Sequence, residues 1–559
     1  MNKGMKIYCN NIKEYVKFQG GETLSEIFDR LKNRISITPI CARVNNKTEN
    51  MGYPVFSPKL VEFLDAGSPS GRRIYVHSLC MVLYKAVYDS FPKMRLRIEH
   101  SISNGYYALL INGNEVLEPD AQMVDKLKQR MQEIINADMP FIRHEKLTTD
   151  AIKIFEEQGL TDKVKLLKYS QDLYTVYYTL DGLADSFYGN LAPSTGFLTV
   201  FDLQPFKKGM LLVGTGKNDM TRPDKPIRQE KMYKAFTEYL DFNHIIGIKN
   251  VGELNDAVMR GETNMLLNVA EALHTKSFSN IAEEITRRYR NGGARIVLIA
   301  GPSSSGKTTS SKRLAIQLMC NLIVPQIISL DDYFVDRTKT PRDESGDYDF
   351  ESLYALDLEL FNRDLNALIA GEEINMPTYN FETGHREYRG NKLKLGKNSI
   401  LLIEGIHGLN PELTASIPEE QKFRVFASAL TTLSIDDHNW VATTDNRLLR
   451  RLIRDHKYRG VNALETISRW QSVRAGEEKW IFPYQENADA TFNSSLLFEL
   501  GVMKEYAEPL LKQVPRNVPE YAEAYRLRAL LSYFVPICEK DIPGTSLLRE
   551  FLGGSSFHY

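Results

Sequence analysis

The chain has 559 residues, with 70 Lys and Arg against 71 Asp and Glu, so no global field draws it to nucleic acid or membrane. That length exceeds a single core and predicts three or four domains at ~100–200 residues each. The five cysteines are odd in number, scattered and free of C-x-x-C spacing, which argues against a disulfide framework or a zinc cluster. No apolar run approaches the ~18–20 residues of a membrane helix, so no membrane partner is expected. The first ten residues lack the apolar core of an export signal, and the expected compartment is the cytoplasm.

In chain order, residues 1–66 alternate short β-type runs (Tyr15–Phe18, Ile40–Val44) with a helical segment (Thr23–Leu31), the pattern of a small β-grasp domain. A Gly/Ser/Pro break at Ala66–Gly71 precedes a domain predicted over 71–229. It opens on a helix with Leu79, Val82, Leu83 and Val87 at helical spacing. A second amphipathic helix follows at 120–137, with strands and turns over 164–203. Residues 230–290 read as a helical connector, 291–515 as a nucleotide-binding domain, and 516–559 as a helical tail whose clearest helix is Tyr521–Tyr533.

The nucleotide-binding expectation rests on Gly301-Pro302-Ser303-Ser304-Ser305-Gly306-Lys307-Thr308, followed by Thr309. Before it, Arg295–Ala300 has the branched apolar composition of a buried parallel strand. After it, Leu314, Ala315, Leu318 and Met319 repeat at helical spacing. In such a strand-loop-helix unit, backbone N–H groups and a helix N-terminus face phosphates. Lys307 reaches the β/γ oxygens, and Thr308 holds Mg²⁺ through its hydroxyl.

Gln326–Leu330 reads as a second strand ending in Asp331-Asp332, and Ser399–Ile403 as a third ending in Glu404. Carboxylates at strand C-terminal ends lie where open α/β sheets bind ligands. Asp331 is therefore the candidate base for an acceptor hydroxyl, with Asp332 second, and Glu404 the Mg²⁺-associated acid beside ATP. Residues Thr443–Asp455 form a helix with Leu448, Leu449, Leu452 and Ile453 on one side. On the other, Arg447, Arg450, Arg451 and Arg454 stand at i, i+3, i+4 and i+7, a guanidinium row suited to ATP phosphates. Between the catalytic strands, Tyr379 and Phe381 alternate so as to stack on a flat base. Asp349 or Glu351 can take ribose hydroxyls, and His385 and Arg386 base edges.

Together, Gly301–Thr308, Asp331-Asp332-Tyr333, Pro377–His385, Glu404-Gly405 and Asp445–Asp455 resemble the uridine kinase and phosphoribulokinase family over about residues 295–500. The resemblance implies an α/β P-loop kinase, a parallel sheet flanked by helices. It implies catalytic roles for Asp331, Lys307, Arg447, Arg451 and Arg454, with the arginine helix as a mobile lid. Acceptor contacts would fall to Asp332, Tyr333, Glu351, Tyr379, Phe381, His385, Arg386 and Arg447, and Mg²⁺ to Thr308 and Glu404. Glu351 stands where the family usually has an aspartate, and His385 one residue later than the base-contacting histidine.

Residues 10–240 resemble a different family, the β-grasp and editing-type α+β domains of threonyl-tRNA synthetase, through His77–Met81, Ala137–Phe141 and Ala192–Gly196. Of that family's polar editing set only His77 remains; the other positions read Met81, Phe187 and Leu191. A retained scaffold without hydrolytic activity is expected. The whole reading is an α/β multidomain, homo-oligomeric kinase that phosphorylates a nucleoside at its 5′-hydroxyl, uridine or cytidine first, with Mg²⁺ and ATP. A sugar-phosphate kinase, or a tRNA-binding regulatory protein with a nucleotide switch, are the alternatives.

Overall fold

The computed structural model describes residues 5–343 and 346–558. Its first unit is a five-stranded sheet ordered Glu14–Lys17, Lys6–Cys9, Leu60–Leu64, Cys41–Val44, Lys47–Asn50, in which Lys6–Cys9 and Leu60–Leu64 run parallel. The helix Leu24–Asp29 starts at a capping box, with Thr23 Oγ1 accepting from the Glu26 amide and Glu26 accepting from the Thr23 amide. It buries Leu24 and Ile27 in a core with Ile7, Val61 and Phe63, the β-grasp arrangement.

The second unit begins two residues before the expected Gly71. Ser68 caps the 22-residue helix Pro69–Ser90, with Pro69 at the first helical position, where its missing N–H costs nothing. This helix and Ala121–Asn136 cover a sheet ordered Glu115–Leu117, Gly105–Asn112, Gly209–Val213, Asp202–Phe206, with Met94–Ile102 also paired to Gly105–Asn112. A three-stranded antiparallel sheet (Ile142–Leu147, Tyr174–Leu180, Leu183–Asp185) completes it. The stretch expected as strands and turns also contains the end of a helix, Thr161–Leu167.

The third unit is a five-stranded, all-parallel sheet ordered Val324–Ser329, Ser399–Glu404, Ile296–Ala300, Lys422–Ser428, Ala490–Asn493. All five residues of Ile296–Ala300 are buried, as a central strand covered on both faces requires. Residues 230–290 do more than connect: the 28-residue helix Thr263–Arg290 packs along the phosphate-loop helix Lys307–Cys320, and Glu271 pairs with Arg313 at 2.8 Å. The tail is less helical than expected. After Tyr521–Ser532 it runs irregularly to a single turn, Arg549–Leu552, and folds back onto the phosphate loop.

The second and third units are joined by the loop 429–442, which leaves the end of Lys422–Ser428 and inserts into the second unit. Lys163 is wholly buried between Asp185 (2.8 Å) and Asp436 (2.9 Å), and His438 Nδ1 lies 2.7 Å from the other Asp185 oxygen. The Ile98 amide donates to the Asp437 carbonyl, and Trp440 packs edge-on to His77 and against Tyr106. His77 is buried with Phe187 stacked on it, and burial drives its pKa down to about 3. Its place is an aromatic and aliphatic core that also holds Met81 and Leu191.

Candidate active site

The phosphate loop turns at the carboxyl edge of the central strand, where the sheet order passes from Ile296–Ala300 to its two neighbours. A β-carbon on Gly301 would overlap the Ala427 carbonyl, so that position must be glycine for the loop to lie against the neighbouring strand. Gly306, at φ 78°, forms the left-handed corner from which the helix Lys307–Cys320 starts. The first-turn donors of that helix then point into the cleft.

Lys307 Nζ donates to the Pro302 carbonyl at 3.1 Å, folding over its own loop. Burial lowers its pKa, against the pull of Glu404 and Asp331. Thr308 Oγ1 and Ser329 Oγ both donate to Glu404 Oε1, at 3.4 and 3.3 Å. Burial raises the Glu404 pKa to about 7, with Asp331 adding repulsion. This is a hard-oxygen set whose carboxylate lacks a full counter-charge. Its chemistry fits Mg²⁺, which takes one or two carboxylates and keeps several waters.

Asp331 lies where sequence reasoning put it, just past the strand Val324–Ser329, with its amide donating to Ser329 Oγ. Its side chain reaches solvent yet is hemmed in by protein, the signature of a group on the floor of a cleft. Desolvation raises its pKa, opposed by Lys307, Arg459 and Arg454. Asp332 turns the other way and accepts from the Tyr379 amide at 3.3 Å, tying the hairpin Ile374–Asn380/His385–Leu393 to the cleft.

Tyr333, expected to touch the acceptor, is corrected. It is buried, its ring packs on Phe361 and its hydroxyl donates to Asp364 at 3.3 Å, so it belongs to the core. The pair Tyr379 and Phe381 forms no open slot. Their rings meet edge to face at 5.1 Å, with Tyr379 buried and Phe381 58% exposed. Phe334 lies 5.5 Å from Tyr379, 6.1 Å from Phe381 and 6.3 Å from Phe350, making an aromatic floor with Phe381 as its open face. His385 pairs with Asp336 at 3.3 Å. Arg386 bonds Asp357 at 2.9 Å and the Phe334 carbonyl at 3.2 Å, so both brace the hairpin.

The arginine helix, Thr443–Arg459, meets the phosphate loop directly. Arg447 Nε donates to the Ser303 carbonyl at 2.9 Å, and Arg451 Nη1 to Ser303 Oγ at 2.8 Å. The row does not wait for ATP to neutralise it. Arg447 is buried in an ion pair with Glu477, Arg450 is buried against Glu499, and Arg454 lies on Asp455. Its apolar side, Leu448, Leu449, Leu452 and Ile453, is fully buried with the helices Glu499–Lys512 and Tyr521–Ser532. A lid that swings as a whole helix would have to break that core. Arg459 extends the basic side towards Asp331, and burial and Arg454 push its pKa down to about 10.

Three participants escaped sequence reasoning. Glu477 accepts from the Ser303 amide at 3.0 Å, and Glu550 accepts from the Thr309 amide and hydroxyl at 3.1 and 2.6 Å. His407, three residues after Glu404, is buried, and burial pushes its pKa down to about 4. Nothing local distinguishes these from surface carboxylates or a core histidine. Glu351 does reach the cleft. It lies against Gly476, where a β-carbon would overlap it, and burial together with Glu477 raises its pKa to about 7. The side-chain oxygens of Ser304 and Ser305 and Glu351 Oε2 are buried without partners. Each is a buried polar group that calls for a partner, such as a polar ligand.

Residues 296–496 match the family model described as the phosphoribulokinase / uridine kinase family, so the chain carries a P-loop kinase domain of that family. Among solved structures, a putative fructose transport system kinase from Silicibacter sp. TM1040 is 19% identical, covering 38% of this chain and 98% of that one (TM-score 0.28). A possible uridine kinase from Bacillus stearothermophilus is 20% identical with the same coverages (TM-score 0.26). The N-terminal half matches threonine–tRNA ligases: that of Carboxydothermus hydrogenoformans is 27% identical over 239 residues, 43% of this chain and 36% of the ligase. That of Rubrobacter xylanophilus is 28% identical over 185 residues, 33% of this chain and 28% of the ligase. The chain thus spans about a third of the length of the curated relatives it matches.

Proposed function

We propose that this P-loop kinase domain transfers the γ-phosphoryl group of ATP to the 5′-hydroxyl of a nucleoside, uridine or cytidine first. The observation that carries this reading is the coupling of the aromatic floor to the candidate base. Phe334 follows Asp331 by three residues, and Asp332 holds the Tyr379 amide, so the exposed Phe381 ring and the candidate base are tied to one segment, which favours an acceptor with a flat base to rest on that ring.

Asp331 accepts the proton of the 5′-hydroxyl as that oxygen bonds to the γ-phosphorus and the bridging oxygen leaves with ADP. Lys307, Arg451 and Arg454 face the charge that builds on the transferring group, and Glu351 is the acceptor's ribose partner. Thr308 and Glu404 would hold Mg²⁺, which when bound neutralises phosphate charge. The N-terminal half serves as a scaffold for the kinase; its likeness to tRNA ligases stands behind a tRNA-binding reading, but the cleft supplies no support for one.

The test is a panel of nucleosides with ATP, including ribulose 5-phosphate as a sugar-phosphate acceptor. We expect pyrimidine nucleosides to be phosphorylated, and Asp331→Asn to lower kcat by ~10²–10⁴-fold. Turnover of no nucleoside, or full activity in D331N, removes the proposal; turnover of ribulose 5-phosphate alone replaces it with a sugar-phosphate kinase.

A further inference from the structure

The first turn of the phosphate-loop helix already holds a carboxylate, and the protein itself supplies it. Glu550 Oε2 accepts from the Thr309 amide at 3.1 Å and from Thr309 Oγ1 at 2.6 Å. Thr309 lies in the first turn of the helix that begins at Lys307, and its N–H is one of the donors with which a phosphate loop cradles a nucleotide.

The placement of Glu550 is fixed by the segment around it. Leu547 is fully buried beside the loop, close enough that a β-carbon on Gly306 would come within 2.8 Å of its Cδ2. Phe551 lies under the Arg450 guanidinium, 5.1 Å from it. Lys457 donates to the Leu552 carbonyl, and Lys312 to the His558 carbonyl at 2.6 Å. Arg549 pairs with Glu539 at 3.0 Å and donates to the Ile542 carbonyl at 2.8 Å, closing the preceding turn. Four points on the loop, its helix and the arginine helix are therefore clasped by one strap of chain.

A phosphate and a carboxylate cannot share one amide and one hydroxyl. The cleft makes the conflict sharper, because Glu550 adds to the negative charge that already burdens Glu404. The geometry points to a self-inhibitory arm: residues 547–552 occupy part of the nucleotide's phosphate seat, and ATP binds only by displacing Glu550. This rests on the reading of the domain as an ATP-dependent kinase. It goes beyond that reading by placing a built-in competitor for nucleotide on the chain's own C-terminal segment.

Two measurements on the full chain test it, neither needing an acceptor or turnover. Calorimetric titration with MgATP compares the wild type with Glu550→Gln, which keeps the side chain's shape and removes its charge. We expect E550Q to bind about tenfold more tightly, the release of one ionic competitor for a phosphate seat. Hydrogen exchange of the wild type, which requires no variant to fold, should show faster exchange over residues 547–552 when MgATP saturates. ATP affinity in E550Q equal to or weaker than wild type, or exchange over 547–552 unchanged or slowed by ATP, overturns the arm. If both proteins bind MgATP equally and the segment stays protected, the arm alone falls. If neither binds ATP at millimolar concentration, the arm and the kinase reading fall together.

Discussion

Glu404 is the residue whose environment most constrains the chemistry. A carboxylic acid with a pKa near 7, touched by Thr308 and Ser329 hydroxyls, is half neutral at neutral pH in the free protein. A divalent cation must take that proton's place, so cation binding and Glu404 ionisation are linked. Below about pH 7 the proton competes. The apparent Mg²⁺ affinity is expected to fall about tenfold per pH unit under that value and to level off above it. Mg²⁺ titrations of ATP binding at pH 6 and pH 8 check this, and a pH-independent affinity contradicts it. Asp331 shares Lys307 with Glu404 but is also faced by Arg454 and Arg459, and these cations oppose the rise that desolvation imposes on it. Both residues were legible in the sequence, because a carboxylate ending an apolar strand is a local pattern. Tyr333 was misread because it adjoins that pattern on a single 3₁₀ turn, whose curl carries it into the core.

At the scale of elements, the arginine helix shows what spacing conveys and what it leaves out. The i, i+3, i+4, i+7 row was readable, and so was the apolar side. The anions that answer it were not, because Glu477 and Glu499 lie 30 and 49 residues further on, in other helices. Glu477 is shared between Arg447, Arg474 and the Ser303 amide, so it couples the arginine helix to the phosphate loop. Replacing Arg447 by Met strands Glu477 as a buried charge with only the half-exposed Arg474 beside it. We expect a loss of about 3 kcal/mol in denaturant unfolding, most of it regained in the double variant Arg447→Met/Glu477→Gln. An unchanged midpoint in the single variant would show the pair to be dispensable. The fold of each unit was likewise legible wherever a strand, helix or cap is specified within a dozen residues. The long helix from Pro69 and the strands Ile296–Ala300, Val324–Ser329 and Ser399–Glu404 belong to that class, whereas Lys6–Cys9, Lys47–Asn50 and Leu60–Leu64 of the N-terminal sheet and Lys422–Ser428 and Ala490–Asn493 of the parallel sheet do not.

Across the whole molecule, the kinase is fastened to the N-terminal half by its own loop 429–442. Lys163 is the centre of that joint, with no exposure and two carboxylates, Asp185 from its own unit and Asp436 from the kinase. Lys163→Met leaves two buried carboxylates facing each other beside His438. The expected cost is about 3–5 kcal/mol, visible in scanning calorimetry as a lower first transition in which the two halves separate. A melting profile identical to wild type would mean that the joint carries no stability. Sequence reading missed this junction entirely, because an Asp-Asp-His-Asn-Trp loop carries no local sign of its partners. The same junction packs Trp440 on His77, beside a core that holds Met81, Phe187 and Leu191.

The plug that fills the second unit is made late. Asp185 meets His438 across 253 residues, and at ribosomal speeds of ~5–20 residues per second that gap is roughly 10–50 s of synthesis. Throughout that interval the nascent N-terminal half carries Lys163 and Asp185 without Asp436 and His438, and His77 and Tyr106 without Trp440. Its completion therefore depends on chain that has yet to leave the ribosome, and a kinase domain cut free at residue 291 would carry the loop 429–442 with nowhere to lodge it.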